Sequence, residues 1–151
     1  MEKVEVAPFQ IIGITVRTTN QNNQGAEDIG ELFNKFLSEN LMTKIPNRVE
    51  NDIYSVYTDY ESDHTGHYTT LLGCKVSSLD NTPPGMVGKS ICGGTYTTFV
   101  AKGDLSKGVV AKEWMKIWDS GIKRAYSADY EIYGEKAQNP KDAEVPIYIA
   151  I

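Results

Sequence analysis

Apolar and polar residues alternate along much of this chain, and the alternation changes period in an ordered way. From Val4 to Thr19 the period is two: Ile12, Ile14 and Val16 fall on one face, Ile11, Gly13 and Thr15 on the other. This predicts one long strand. The polar run Asn20–Gly25 ends it. Ile29, Leu32, Phe33, Phe36 and Leu37 then recur at helical spacing, with Glu27 and Asp28 in the first turn where the helix dipole favours acids. Ile53 to Glu61 returns to strand character, Asp63–Gly66 reads as a hairpin turn, and His67 to Ser77 is the returning strand.

The segment Asp80–Gly85, with two adjacent prolines and a glycine, is the strongest loop signal and divides the chain. The same order follows again. Gly93 to Lys102 is strand-like. Val110, Trp114, Ile117 and Trp118 form a helical stripe that Gly121 can cap. Lys123 to Tyr133 and Val145 to Ile151 are two further strands around a polar loop. Strand-helix-strand-strand thus occurs twice, over roughly residues 4–79 and 86–151, and Asp59-Tyr60-Glu61 is echoed by Asp129-Tyr130-Glu131. The expected fold is α+β: two helices on one face of a curved, largely antiparallel sheet, in one domain spanning 1–151.

Composition narrows the function. At 151 residues, with 40% apolar and 23% charged residues, the chain can bury a substantial core. Net charge is −5, and basic residues occur at most in pairs such as Lys123-Arg124, which argues against direct grip on nucleic acid. No run approaches the roughly 20 apolar residues of a membrane span, and the charged start of the chain does not resemble a signal peptide. The two cysteines, Cys74 and Cys92, read as free thiols in a reducing cytoplasm. His64 and His67 form an H-x-x-H pair on a hairpin tip without a third ligand, so no metal is expected. Cys92-Gly93-Gly94 lacks the lysine and the helix of a phosphate loop, so no cofactor is expected either.

Three segments carry a family resemblance. They are Ile53–Glu61, the stretch Arg124-Ala125-Tyr126-Ser127-Ala128-Asp129-Tyr130-Glu131-Ile132-Tyr133, and the terminal Val145–Ile151. Together they resemble the integron-cassette effector-binding proteins, a branch of the gyrase-inhibitor-like superfamily that includes the sensor domains of AraC-type and MerR-type regulators. The resemblance implies a duplicated strand-helix-strand-strand fold and a groove between the halves that binds lipophilic cations or aromatic drugs. It also implies that Glu131 lies in that groove. No DNA-binding segment accompanies the sensor, so the resemblance implies a stand-alone receptor that senses or sequesters its ligand, with any regulated partner unknown.

Alternation places Glu131 and Tyr133 on one strand face. Tyr148, opposite in direction to Ile147, Ile149 and Ile151, is expected to join them on a groove face turned away from the helices. A carboxylate among aromatic rings suits a cation. Tyr57, Phe99, Trp114 and Trp118 complete the expected ligand-binding set, with no catalytic residues assigned. Two other functions fit the same residues: hydrolysis of reactive electrophiles by Glu131 with Tyr133 or Tyr57, and an inhibitor-type protein interaction.

Overall fold

In the computed structural model, which describes residues 2–151, ten regular elements form one sheet and two helices. The strands are β1 (Lys3–Val6), β2 (Phe9–Thr19), β3 (Ile53–Thr58), β4 (His67–Val76), β5 (Val87–Ile91), β6 (Gly94–Gly103), β7 (Ala128–Tyr133) and β8 (Ala143–Ala150). The helices are α1 (Gln24–Ser38) and α2 (Val109–Asp119). All strand pairs are antiparallel, in the order β1-β6-β8-β7-β3-β4-β2-β5. The α+β expectation holds, and the order is palindromic about the β7–β3 junction. Each half contributes a helix strand, a hairpin and one strand that crosses over: β1 pairs with β6, and β5 pairs with β2.

That crossover corrects the first expected strand. Val4 to Thr19 is two strands, broken at Ala7-Pro8, and the pieces pair near opposite ends of the sheet. Pro8 has no N–H to give a ladder, so the chain changes partner there. A Cβ on Gly93 would lie 2.5 Å from the Val6 carbonyl oxygen and 2.7 Å from Pro8 Cδ, which shows how tightly the link from β1 to β2 packs on the link from β5 to β6. β5 was not foreseen; Val-Gly-Lys-Ser-Ile has no apolar alternation and buries only Ile91. The expected strand from Lys123 begins only at Ala128. Gly121 and Tyr126 adopt left-handed backbone angles (φ 72° and 55°), which keep the intervening chain irregular.

The sheet separates three apolar clusters. One face collects Phe9, Ile11, Tyr54, Val56, Leu71, Ile91, Tyr96 and Tyr130 inside the curl. The other face carries α1 over Ile12, Ile14, Leu72 and Cys74, and α2 over Ala101, Val145, Ile147 and Ile149. Each helix seats its stripe as expected, through Leu32 and Phe36 of α1 and Ile117 of α2, although Leu37 is 62% exposed. α1 packs mainly on β2 and β4, and α2 on β6. The two helices therefore leave the middle of the sheet, β3 and β7, uncovered by their own cores.

Two details differ from the sequence reading. Asp59-Tyr60-Glu61 lies beyond the end of β3, whereas Asp129-Tyr130-Glu131 lies inside β7, so the echo does not mark equivalent positions. Tyr60 and Asp129 instead meet, the phenol donating a hydrogen bond to the carboxylate. Among the described residues no helix is long and apolar enough to cross a membrane. Cys74 is buried and Cys92 exposed, and both are free.

Candidate functional site

A cavity of about 270 Å³ opens between the helices, above the β3–β7 junction. Its floor is Tyr57 of β3, Tyr68 of β4, and Glu131 and Tyr133 of β7. Gly25, Ala26, Ile29 and Phe33 of α1 form one wall; Val110, Ala111, Trp114, Met115 and Trp118 of α2 form the other. Asn20, Asn23, Tyr60, His64 and Arg124 close the ends. The floor sits at the point where the two halves join, so residues from both are needed to build it.

Register decides who faces the cavity. Ser55, Glu131 and Ile147 lie directly across from one another on β3, β7 and β8, and residues opposite in an antiparallel ladder share a face. Glu131 is therefore on the helix side, together with the isoleucines of β8. This overturns the expected groove on the far face. Tyr148 is opposite Tyr130, stacks on it at 4.7 Å with an interplanar angle of 7°, and belongs to the cluster inside the curl. It is remote from the cavity. Phe99, opposite Ile147, shares the helix face but packs against the core under α2 and does not line the cavity. Glu131, Tyr133, Tyr57, Trp114 and Trp118 do line it.

Glu131 is the least expected group to find at 1% exposure. Its carboxylate accepts the indole N–H of Trp114 on Oε2 and the Tyr133 hydroxyl on Oε1 at 2.8 Å. The Tyr57 hydroxyl is a third neighbouring donor, and itself accepts from the Ser55 hydroxyl at 3.0 Å. All of these partners are neutral. Burial pushes the Glu131 carboxyl above the usual carboxylate range, and the hydrogen bonds from Trp114, Tyr133 and Tyr57 only partly oppose it. Burial and the nearby carboxylate likewise hold the Tyr57 and Tyr133 phenols well above their usual range, and push Tyr68 up to about 12.

The buried cation at the end of the cavity does not compensate this charge. Arg124 gives Nη2 to Asp129 at 2.6 Å, with both side chains buried, and Asp129 also accepts the Ala150 N–H at 2.8 Å. The guanidinium lies 4.4 Å from the Tyr126 ring and 5.6 Å from that of Trp114. Asp129 thus consumes the positive charge, and the Glu131 carboxylate keeps none.

The rings form a continuous lining. Tyr57 meets Trp114 edge-on at 5.5 Å and Tyr68 at 5.9 Å, and Phe33 meets Tyr133 at 5.1 Å. At one rim the His64 ring stacks on Trp118 at 5.4 Å, linking the β3–β4 hairpin to α2. The same hairpin is tied to the start of α1: the Asn20 side chain donates to the His64 carbonyl and that of Gln21 to the Thr65 carbonyl, both at 3.0 Å. His67 points elsewhere, toward Glu61 at the surface.

Sequence reasoning missed Tyr60, Tyr68, Ile29, Phe33, His64 and Arg124. Ile29 and Phe33 lie on the α1 stripe and read as core. Tyr68 alternates with Thr70 and Leu72 on the helix face, a signal that was available once β4 was placed. His64 and Arg124 enter through irregular segments that periodicity does not describe.

Comparison with known proteins shows the family and the fold. Residues 3–151 match the family of integron-associated effector binding proteins, Cass2. An integron cassette protein from the mobile metagenome of Vibrio cholerae is 31% identical, covering 99% of this chain and 94% of its own, with a TM-score of 0.77. The Bacillus subtilis (strain 168) protein YobU, named as a transcriptional regulator, is 27% identical over 144 residues, which is 92% of this chain and 89% of YobU. The protein SAV2435, solved bound to tetraphenylphosphonium, shares the fold with a TM-score of 0.80 at 13% identity, covering 98% of this chain and 91% of its own. The chain belongs to the integron-associated effector binding protein family, and small-molecule effector binding is the function of that family.

Proposed function

We propose that this member of the family captures lipophilic aromatic cations in the cavity between α1 and α2, with Glu131 as the counter-charge. One observation carries the reading: a carboxylate buried to 1% exposure faces an aromatic cavity while its hydrogen-bond partners are all neutral. Desolvating a charge without a counter-ion is costly, and a cation entering the cavity offsets that cost. Trp114, Trp118, Tyr57, Tyr133 and Phe33 add aromatic rings, and each ring face that meets the cation contributes on the order of 0.5–2 kcal/mol. That SAV2435, which shares the fold, binds tetraphenylphosphonium supports the same ligand class here.

The cavity makes the protein a sensor or a sequestering agent. YobU's name supports a link to transcription, and the net charge of −5 favours one made through a protein partner over direct contact with DNA. The two free thiols support a reducing compartment, the cytoplasm, as its place of action. Titration with tetraphenylphosphonium, followed by quenching of Trp114 and Trp118, tests the reading. Saturable binding is expected in the wild type, with a large loss in Glu131→Gln; affinity indifferent to that substitution would remove Glu131 from the role.

A further inference from the structure

The cavity has a second polar pole that the cation reading does not use. Arg124 lines the end of the cavity, and its side chain is 4% exposed. A guanidinium carries five N–H donors in a planar fork. Here Nη2 is engaged, by Asp129 at 2.6 Å and Tyr60 at 3.3 Å. Nε and Nη1 are buried and take no partner from the described residues. Buried charged donors are nearly always hydrogen-bonded, and Arg donors left without an acceptor forfeit a charge-assisted bond. The guanidinium carbon lies over the rings of Tyr126, Trp114 and Tyr60, but an aromatic ring does not replace an oxygen acceptor in the plane of the fork.

Trp114 joins the two poles. Its indole N–H binds Glu131, and its ring lies against the Arg124 guanidinium. Trp114 thus stands between the Glu131 carboxylate and a guanidinium whose Nε and Nη1 donors are unfilled. Asp129 neutralises the Arg124 charge, so this pole attracts a hydrogen-bond acceptor without requiring an anion.

We propose that Arg124 is an acceptor-binding subsite of this cavity, and that the favoured ligands are aromatic cations that also carry a carbonyl-type oxygen. The inference rests on the proposed binding of cations at Glu131, and it narrows the ligand class from any lipophilic cation to one with two distinct polar ends. Filling the open donors is expected to strengthen binding roughly ten- to a hundredfold, the range for a hydrogen bond to a charged group.

A pair of probes tests it: N-benzyl-acetylpyridinium and N-benzyl-isopropylpyridinium, equal in charge and close in size, one with a carbonyl oxygen and one without. Tetraphenylphosphonium serves as the acceptor-free reference. Calorimetric titration of the wild type is expected to favour the acetyl compound at least about tenfold. Arg124→Lys keeps a cation for Asp129 but loses the fork. It should bring the ratio near one, and because the ratio is taken within each protein it does not depend on how tightly the variant binds cations in general. In the wild type the Arg124 Nε–H resonance should move with the acetyl compound and not with the isopropyl one, a readout that needs no variant to fold. A ratio near one in the wild type, with an unmoved Nε–H resonance, would overturn the subsite. If tetraphenylphosphonium still binds in a Glu131-dependent way, the cation reading survives that result. Failure of all three cations to bind removes both.

Discussion

With Glu131 as the proposed counter-charge, a cation and a proton are expected to compete for it, and pH reads that competition directly. Burial raises this carboxyl above its ordinary value of 4.5. An acid with a raised folded pKa is more protonated folded than unfolded. Between the ordinary and the raised value, the empty protein therefore gains stability as pH falls, and it loses that gain as pH rises through the folded value. A bound cation reverses the preference, because it favours the ionised form. Two unit charges 4–5 Å apart at an effective dielectric near 20 attract by about 3–4 kcal/mol, roughly a hundred- to a thousandfold in affinity. Cation affinity should thus climb about tenfold per pH unit below the raised pKa and level off above it. Calorimetric titration with tetraphenylphosphonium in buffers of different ionisation enthalpy counts the protons. Close to one should be released per cation on the acid limb and none on the plateau. Glu131→Gln should bind weakly at every pH and release no proton. A flat wild-type profile, or a slope that persists in Glu131→Gln, would refute the reasoning.

Three further outcomes follow from named contacts. Trp114→Phe keeps the ring but removes the indole donor that lowers the Glu131 pKa, so the midpoint of the binding profile should move to higher pH; an unmoved midpoint would show that the indole does not hold the carboxylate. Asp129→Asn leaves the buried Arg124 cation without its partner at a cost of about 3–5 kcal/mol, which thermal denaturation should record as a fall of roughly 6–20 °C. A fall within about 2 °C would mean the pair contributes little. A Cβ on Gly13 would fall 2.0 Å from the Leu72 carbonyl oxygen, whereas one on Gly30 of α1 meets nothing within 4 Å. Urea denaturation should therefore show Gly13→Ala destabilised by about 3 kcal/mol or more, and Gly30→Ala stabilised by about 0.5–1 kcal/mol. Equal effects at the two sites would contradict the close approach of β2 and β4.

Much of the architecture was legible because it is local. The alternation of Ile11, Ile12 and Ile14 and the α1 stripe through Leu32 and Phe36 each report one face of one element, and both faces are used as the pattern says. What failed was relational. Period two carried the expected first strand straight through Pro8, and that β1 crosses to β6 there depends on the curl of the whole sheet. The misplacement of Tyr148 had the same origin. Period two fixes which side chains share a face within β7 and within β8, yet only the pairing of Tyr130 with Tyr148 says which face of one joins which face of the other. Tyr60 reaches the cavity end through its contacts with Asp129 and Arg124, made between segments more than 60 residues apart that no window of sequence contains.

The placement of Glu131 also bears on what kind of selectivity the site can have. Its strand is held on both sides, by β3 through the whole of β7 and by β8 at Tyr130 and Glu131, so the carboxylate stands on backbone that ladder hydrogen bonds fix. The walls are held differently. α1 and α2 pack on separate halves of the sheet, and the rim is closed by contacts such as the His64–Trp118 stack, made by a hairpin tip and the C-terminal turn of α2. A fixed charge beneath adjustable aromatic walls discriminates strongly on the sign and position of the ligand's charge and weakly on its outline. Cations of different shape should therefore bind with affinities closer to each other than any of them is to a neutral molecule of its own shape. Competition between tetraphenylphosphonium, a planar xanthene cation and their neutral counterparts measures that ordering. If shape outweighs charge in the ranking, the walls are as rigid as the floor, and selectivity lies with the rings instead of with Glu131.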